Sequence, residues 1–297
     1  MPVFLPGMKR SLHNILPVIT RIQSVDLKVK DLTKALHFYS ELLGMKPKEI
    51  SASEVDLFSD TNKPYLVKLT EDRTAKYPAR DNTGLFHIAI RFQNRKELAR
   101  VFMRLFNNKY KFQGFSDHLV SEAIYINDPD ENGIELYVDK PKDERTYNND
   151  EIVMDTLPLN LSHITKELDD PDLWEGIHPS TNIGHIHLKV SNIFHAEKFY
   201  SFMLGFKVTT KSYPGALFLA AGDYHHHIGA NIWETRNGSS PPENSLGLTG
   251  FKINIPDTEH LSGIVNHIKD YGLLIDGSNP NSVLVKDFDN IKIRLTL

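Results

Sequence analysis

The chain has 297 residues, 40% of them hydrophobic and 24% charged. At roughly 150 residues per domain, that length predicts about two domains with sizeable cores. The 34 basic residues against 38 acidic ones give a net charge of -4, so the basic field of a nucleic-acid binder is absent. There is no cysteine, which excludes disulfides, thiolate metal sites, iron–sulfur clusters and cysteine nucleophiles. Any transition metal must be held by the fourteen histidines and by carboxylates. No apolar run approaches the roughly 20 residues that span a bilayer. Pro2, Pro6 and Pro17 interrupt the mildly apolar N-terminus, and Lys9 and Arg10 split it. It therefore lacks a signal-peptide core. A cytoplasmic protein is expected, making no contact with membrane, with an N-terminal arm over residues 1–21.

Internal repetition sets the architecture. The segments VDLKVKDLTKALHFYSELLGMK (25–46) and IHLKVSNIFHAEKFYSFMLGFK (186–207) align without gaps, with ten identities including Leu27, Val29, Phe38, Tyr39 and Gly44. The chain reads as a duplication, each half again divisible. In the first module Leu27 and Val29 alternate with Lys28 and Lys30, a half-buried strand. A helix follows from Leu32 and ends at Gly44, with strands near 55–58 and 65–69. The second module has a strand at 85–92, a helix through Leu98, Val101, Phe102 and Leu105, and strands at 122–127 and 133–138. After a polar stretch and a linker (142–182), the third module opens with a strand at 185–190 and a helix from His195. The fourth has a strand at 248–255, a helix from about Thr258 to Tyr271 and a last strand at 291–297. The expected fold is α+β: four βαβββ modules in two tandem domains, 22–141 and 183–297. Each sheet has one face covered by helices, and the other is free to curve around a cavity.

Strand alternation sorts the candidate ligands. Phe86, Ile88 and Ile90 form the packing set of the second module's first strand, leaving His87, Ala89 and Arg91 on the concave side. In its last strand Glu135 and Tyr137 lie on that side. In the third module His185 and His187 do. With first and last strands adjacent, His87 and Glu135 become neighbours, and pairing the second module with the third adds His185. Two imidazoles and one carboxylate leave open positions on an ion and suit iron(II), with Mn(II), Zn(II) or Ni(II) as alternatives. The equivalent first-strand positions hold Ser24 and Gly250 in the first and fourth modules, and Arg294 stands where Glu135 does. Only the two central modules are equipped.

The motifs FHIAI (86–90), DPDENGIELY (128–137), GHIHLKV (184–190) and YHHHIGANIW (224–233) resemble the vicinal oxygen chelate superfamily, which includes glyoxalases, bleomycin resistance proteins and dioxygenases. Within it they are most similar to the extradiol (catechol 2,3-) dioxygenases. The resemblance runs through nearly the whole chain from about Ile22. It implies His87, Glu135 and His185 as metal ligands and Tyr125, ten residues before Glu135, as a hydrogen-bonding partner of substrate. It also implies a catalytic histidine just before the third module's last strand. Within the run His225, His226 and His227, alternation from Ile228 turns His225 and His227 to the cavity, and His227 is the expected acid–base residue. His118, seven residues before Tyr125, is expected to stand outside direct contact with the metal.

The implied chemistry is metal-dependent, extradiol ring cleavage of a catechol-type aromatic by O₂. Those two reactants are the only partners expected, and a homo-oligomer is left open. Two rivals share the fold. One is a glyoxalase-type isomerase or thiol-transfer resistance enzyme; glyoxalase I generally uses four protein ligands including a second carboxylate, and the corresponding place, near Gly229 and Asn231, is not acidic. A non-catalytic aromatic-binding protein needs neither Tyr125 nor an acid–base histidine.

Overall fold

A computed structural model describes residues 15–168, 174–269 and 271–297; most of the predicted N-terminal arm lies outside the described residues. The first module comprises β1 (Arg21–Val29), α1 (Leu32–Leu36), β2 (Lys46–Ser51), β3 (Glu54–Phe58) and β4 (Val67–Glu71). The second comprises β5 (Gly84–Arg91), α2 (Arg95–Asn107), β6 (Phe112–Asp117), β7 (Ser121–Asn127) and β8 (Gly133–Asp139). The connector carries the two-residue strands β9 (Tyr147–Asn148), β10 (Glu151–Ile152) and β11 (Leu157–Pro158), and a short helix α3 (Leu161–Thr165). The third module follows as β12 (Asn182–Lys189), α4 (Ile193–Ala196), β13 (Lys207–Thr210), β14 (Ala216–Ala220) and β15 (Ile228–Asn231). The fourth is β16 (Gly247–Asn254), α5 (Thr258–Lys269), β17 (Leu274–Asn279), β18 (Ser282–Lys286) and β19 (Lys292–Thr296). This is the α+β architecture of four βαβββ modules.

Each helix starts in the same way. Asp31, Asn94, Asn192 and Asp257 follow the first strand of their modules and accept a backbone N–H from the opening turn. Such a cap contributes about 1 kcal/mol and fixes where the helix leaves the strand. In the first and third modules the helix widens into π-helical turns over His37–Leu42 and Glu197–Met203.

The strands form two large sheets, and each takes one module from either half. The eight-stranded sheet runs β17-β18-β19-β16-β1-β4-β3-β2, and the nine-stranded sheet runs β11-β6-β7-β8-β5-β12-β15-β14-β13. Within every module the first and last strands pair in parallel at the centre: β1 with β4, β5 with β8, β12 with β15, β16 with β19. Modules join through antiparallel pairs, β1 with β16 and β5 with β12. The second and third modules therefore share a sheet. The connector is more than a tether. Its strand β11 extends the sheet beside β6, and Ile152 and Ile164 are buried.

The two halves carry matching internal latches. The Tyr39 hydroxyl, on the π-helical turn of module one, donates to Asp128 Oδ2 in module two at 2.9 Å. The Tyr200 hydroxyl donates to Asp287 Oδ2, also at 2.9 Å, linking modules three and four. Both aspartates close the turn before the last strand by accepting two backbone N–H groups on Oδ1. Both tyrosines are fully buried. Tyr39→Phe or Tyr200→Phe should each lower stability by roughly 1–3 kcal/mol, the cost of leaving a buried hydrogen-bonding group without its partner. Urea unfolding measures this, and a loss below about 0.5 kcal/mol, the scale of an ordinary surface substitution, would show the latch to be ornamental.

Candidate metal centre

The pairing of β5 with β12 and β8 builds the centre. One rung across the sheet reads Glu135, Ala89, His185: Ala89 is opposite Glu135 on β8 and opposite His185 on β12. Strands are about 4.8 Å apart, so Glu135 and His185 start roughly 10 Å apart at the backbone. The small, fully buried Ala89 lets both side chains meet over it. His87 enters from the same strand face, two residues before Ala89. Glu135 Oε2 lies 2.9 Å from His87 Nε2 and 3.1 Å from His185 Nε2. One ligand atom from each of the three residues falls within 4.8 Å of the others. All three side chains are buried.

The electrostatics fit a cation. Burial works to raise Glu135, but His185 and His87 outweigh it and hold the carboxyl well below the usual range. Burial pulls His185 down to about 4, so it is a neutral imidazole near pH 7, the ligating form. His87 Nε2 is buried with no hydrogen bond despite its closeness to Glu135. A buried polar atom without a partner is costly, and a metal bond would satisfy it. His87, Glu135 and His185 thus offer a facial set of two nitrogens and one oxygen.

The triad sits at the floor of a cavity of about 440 Å³. Phe86, Ile126, Phe218 and Trp233 line it, with Tyr125, His187, His226 and the connector residues Met154–Thr156. Phe86 departs from the expected packing set. A register shift where β5 meets β12 near His87 turns its ring onto the cavity side, 5.0 Å from the His187 ring and 5.3 Å from Trp233. Tyr125 is in place beside His87, with ring centroids 5.7 Å apart. Its hydroxyl is 2.7 Å from His118 Nε2, while His118 Nδ1 is 2.8 Å from the Asp155 carbonyl. The carbonyl only accepts, so His118 Nδ1 carries the proton and Nε2 accepts from Tyr125. Burial and the Glu135 charge push the Tyr125 hydroxyl well up, so it stays protonated.

The choice among the three consecutive histidines is corrected. His227 faces away, into a separate cavity lined also by Arg91 and Tyr224, and its Nδ1 accepts the Ala221 N–H. His226 is the member that lines the metal cavity, its ring centroid 4.1 Å from that of His185. The period-two argument fails because the chain bends at His225 and His227 and becomes strand only at Ile228. His187, which alternation places on this face, is held by Asn231 Nδ2 donating to its Nε2 at 3.1 Å. Gly184 has a steric reason: a Cβ there would lie 1.7 Å from the Tyr137 hydroxyl.

His87→Ala, Glu135→Ala and His185→Ala should each abolish iron(II) retention after anaerobic loading and desalting, with circular dichroism unchanged. A variant that keeps full occupancy would remove its residue from the ligand set. Ala89→Leu should also weaken retention, because a larger side chain would fill the space in which Glu135 and His185 meet.

Residues 21–136 match the family described as the Glyoxalase/Bleomycin resistance protein/Dioxygenase superfamily. A catechol-2,3-dioxygenase of Bacillus subtilis (strain 168) is 36% identical over 273 residues, covering 90% of this chain and 94% of that protein. Among solved structures, glyoxalase I from Zea mays superposes with a TM-score of 0.57 at 15% identity, covering 93% of this chain and 92% of that one. The cppA protein from Streptococcus pneumoniae TIGR4 gives 0.53 at 13% identity, covering 93% and 98%. At those identities the likeness concerns the fold alone. Among the described residues no helix is long and apolar enough to cross a membrane. The family match and a relative 36% identical over 90% of this chain show that it belongs to the glyoxalase/bleomycin resistance protein/dioxygenase superfamily, as an extradiol-dioxygenase-like oxidoreductase.

Proposed function

We propose that the protein cleaves a neutral catechol with O₂ next to its hydroxyl-bearing carbons, using a metal held by His87, Glu135 and His185. The observation that carries this reading is the buried triad of two histidines and one glutamate at the floor of an apolar cavity. Its relation to a catechol-2,3-dioxygenase supports the same reading. Iron(II) is the ion this donor set suits best, with Mn(II), Zn(II) or Ni(II) as alternatives; when bound it would supply the redox chemistry between the diol and O₂. Among the described residues no further carboxylate or imidazole joins the cluster.

The chain's own residues do the rest. Phe86, Phe218 and Trp233 offer apolar ring faces to an aromatic substrate and exclude water from it. His226 Nδ1 is engaged with His225 at 2.8 Å, so Nε2 is the nitrogen left to take a proton from a catechol hydroxyl and later return it. Tyr125, whose proton goes to His118, has a lone pair free to accept from a substrate hydroxyl. Among the described residues no lysine or arginine lines the cavity, whereas Glu135 and Asp155 do. A ring carboxylate would enter with no cation to meet it, so unsubstituted and alkyl-substituted catechols are the substrate class.

With iron(II) loaded, the protein should consume O₂ with catechol or 4-methylcatechol and give a yellow 2-hydroxymuconic semialdehyde-type product. 3,4-Dihydroxybenzoate should be much the poorer substrate. His226→Ala should lower kcat by roughly 10²–10⁴-fold, the range of general acid–base catalysis, and Tyr125→Phe by less, both with iron retained. No O₂ uptake from any of these diols, with iron verified in the protein, would reject the reading. Turnover of a hemithioacetal with nickel or zinc would then assign the protein to the isomerases.

A further inference from the structure

Behind His226 lies a chain of hydrogen bonds that touches neither the metal ligands' donor atoms nor the substrate cavity. His226 Nδ1 is 2.8 Å from His225 Nδ1, and His225 Nε2 is 2.9 Å from Asp139 Oδ1. Asp139 Oδ1 also accepts from the Tyr224 hydroxyl at 3.0 Å, and Oδ2 accepts from Arg91 at 3.2 Å. The Tyr137 hydroxyl completes the set, 2.6 Å from that of Tyr224. His225 is fully buried. Such a dyad adds nothing to packing that two apolar side chains would not, and burying it is costly unless every partner is satisfied.

The proton positions in this chain follow from what each group can do. A guanidinium only donates, and Tyr224 donates to Asp139, so the carboxylate is ionised and acts purely as acceptor. With one ring proton, His225 carries it on Nε2, where it meets the carboxylate, and presents a bare Nδ1. That nitrogen can only accept, so His226 must carry its proton on Nδ1. Its Nε2 is left as a lone pair on the side of the metal cavity. The tautomer of His226 is therefore set from Asp139, two hydrogen bonds away.

We propose that Asp139 and His225 are positioning residues that hold His226 in the Nδ1–H tautomer, with Nε2 ready to receive the substrate proton. The assignment of tautomer stands on the hydrogen bonds alone; its catalytic consequence rests on the function proposed above. When Nε2 takes a proton, the positive charge on His226 is stabilised by donation to His225 with the Asp139 charge behind it.

Asp139→Asn reverses the chain without changing its shape. Arg91 can only donate, so it selects the amide oxygen and turns the NH₂ toward His225 Nε2 and the Tyr224 hydroxyl, which then accepts and donates to Tyr137 instead. His225 then carries its proton on Nδ1 and donates to His226 Nδ1, which forces the His226 proton onto Nε2. Long-range ¹H–¹⁵N imidazole spectra of the metal-free full chain, assigned with His226→Ala, read this directly. The expected result is Nδ1–H at His226 in the wild type and Nε2–H in Asp139→Asn. An Nε2–H tautomer in the wild type, or the same tautomer in both proteins, overturns the proposal. With iron loaded and catechol as substrate, Asp139→Asn should lower kcat by roughly 10²-fold, within the range of acid–base effects, with KM unchanged. In a His226→Ala background it should cost nothing further, because residues acting through one group are not additive; an equal loss in both backgrounds overturns the positioning role. A wild type inactive toward every diol would reject the dioxygenase reading and leave the tautomer result standing.

Discussion

The antiparallel pairing of β5 with β12 is the constraint on which the rest of the site depends. It sets His187 opposite His87 and His185 opposite Ala89, while β8 on the other flank sets Glu135 opposite the same alanine. Period-two side-chain alternation makes such a register unforgiving, since a slip of one residue turns every ligand to the helix-covered face. The packing set on that face, Ile88, Ile90, Ile186, Leu188, Ile134 and Leu136, is almost fully buried and holds the register. Hydrophobic burial on one side of the sheet thereby fixes where His87, Glu135 and His185 meet on the other.

The concave face is an expensive surface. It gathers His87, His185, His187, His226 and Glu135 in a buried cluster, where charge is poorly solvated. The cost is limited by neutrality and by hydrogen bonding. Burial holds His185, His187 and His226 in the uncharged form, Glu135 draws on two imidazoles, and the outer histidines are tied to Asn231, to His225 and, through Tyr125, to His118. Two buried nitrogens of this cluster are left without a hydrogen bond, His185 Nδ1 and His87 Nε2, and the latter belongs to the proposed ligand set. Polar groups that folding alone would not place together are consistent with a site selected for chemistry.

Duplication explains the supporting frame. The Tyr39–Asp128 and Tyr200–Asp287 latches tie the modules of each half together, while the sheets tie the halves to each other. Among the described residues the candidate ligands all lie in the nine-stranded sheet. Its counterpart has Ser24 and Gly250 at the equivalent first-strand positions, and its strands β1 and β16 pair as β5 and β12 do. One copy of the motif serves as scaffold and the other as site.

Much of this was legible in the sequence because it is written in short-range periods. The gapless repeat revealed four modules, alternation placed His87, Glu135, His185 and His187 on one face, and the distribution of ligand-type residues pointed to modules two and three. Tertiary structure alone decided what depends on irregular backbone or on distant partners. The register shift beside His87 moved Phe86 out of the packing set, and the bends at His225 and His227 gave the cavity to His226. The connector could not be read as part of the cavity wall, because its strands are two residues long and acquire their place by pairing, β11 with β6 and β9 with β10, and by packing on the core. Asp139 likewise lies 86 residues from His225. Local sequence fixes which way a side chain points from a regular strand, but a bulge, a bend or a long-range hydrogen bond is settled by packing elsewhere in the chain.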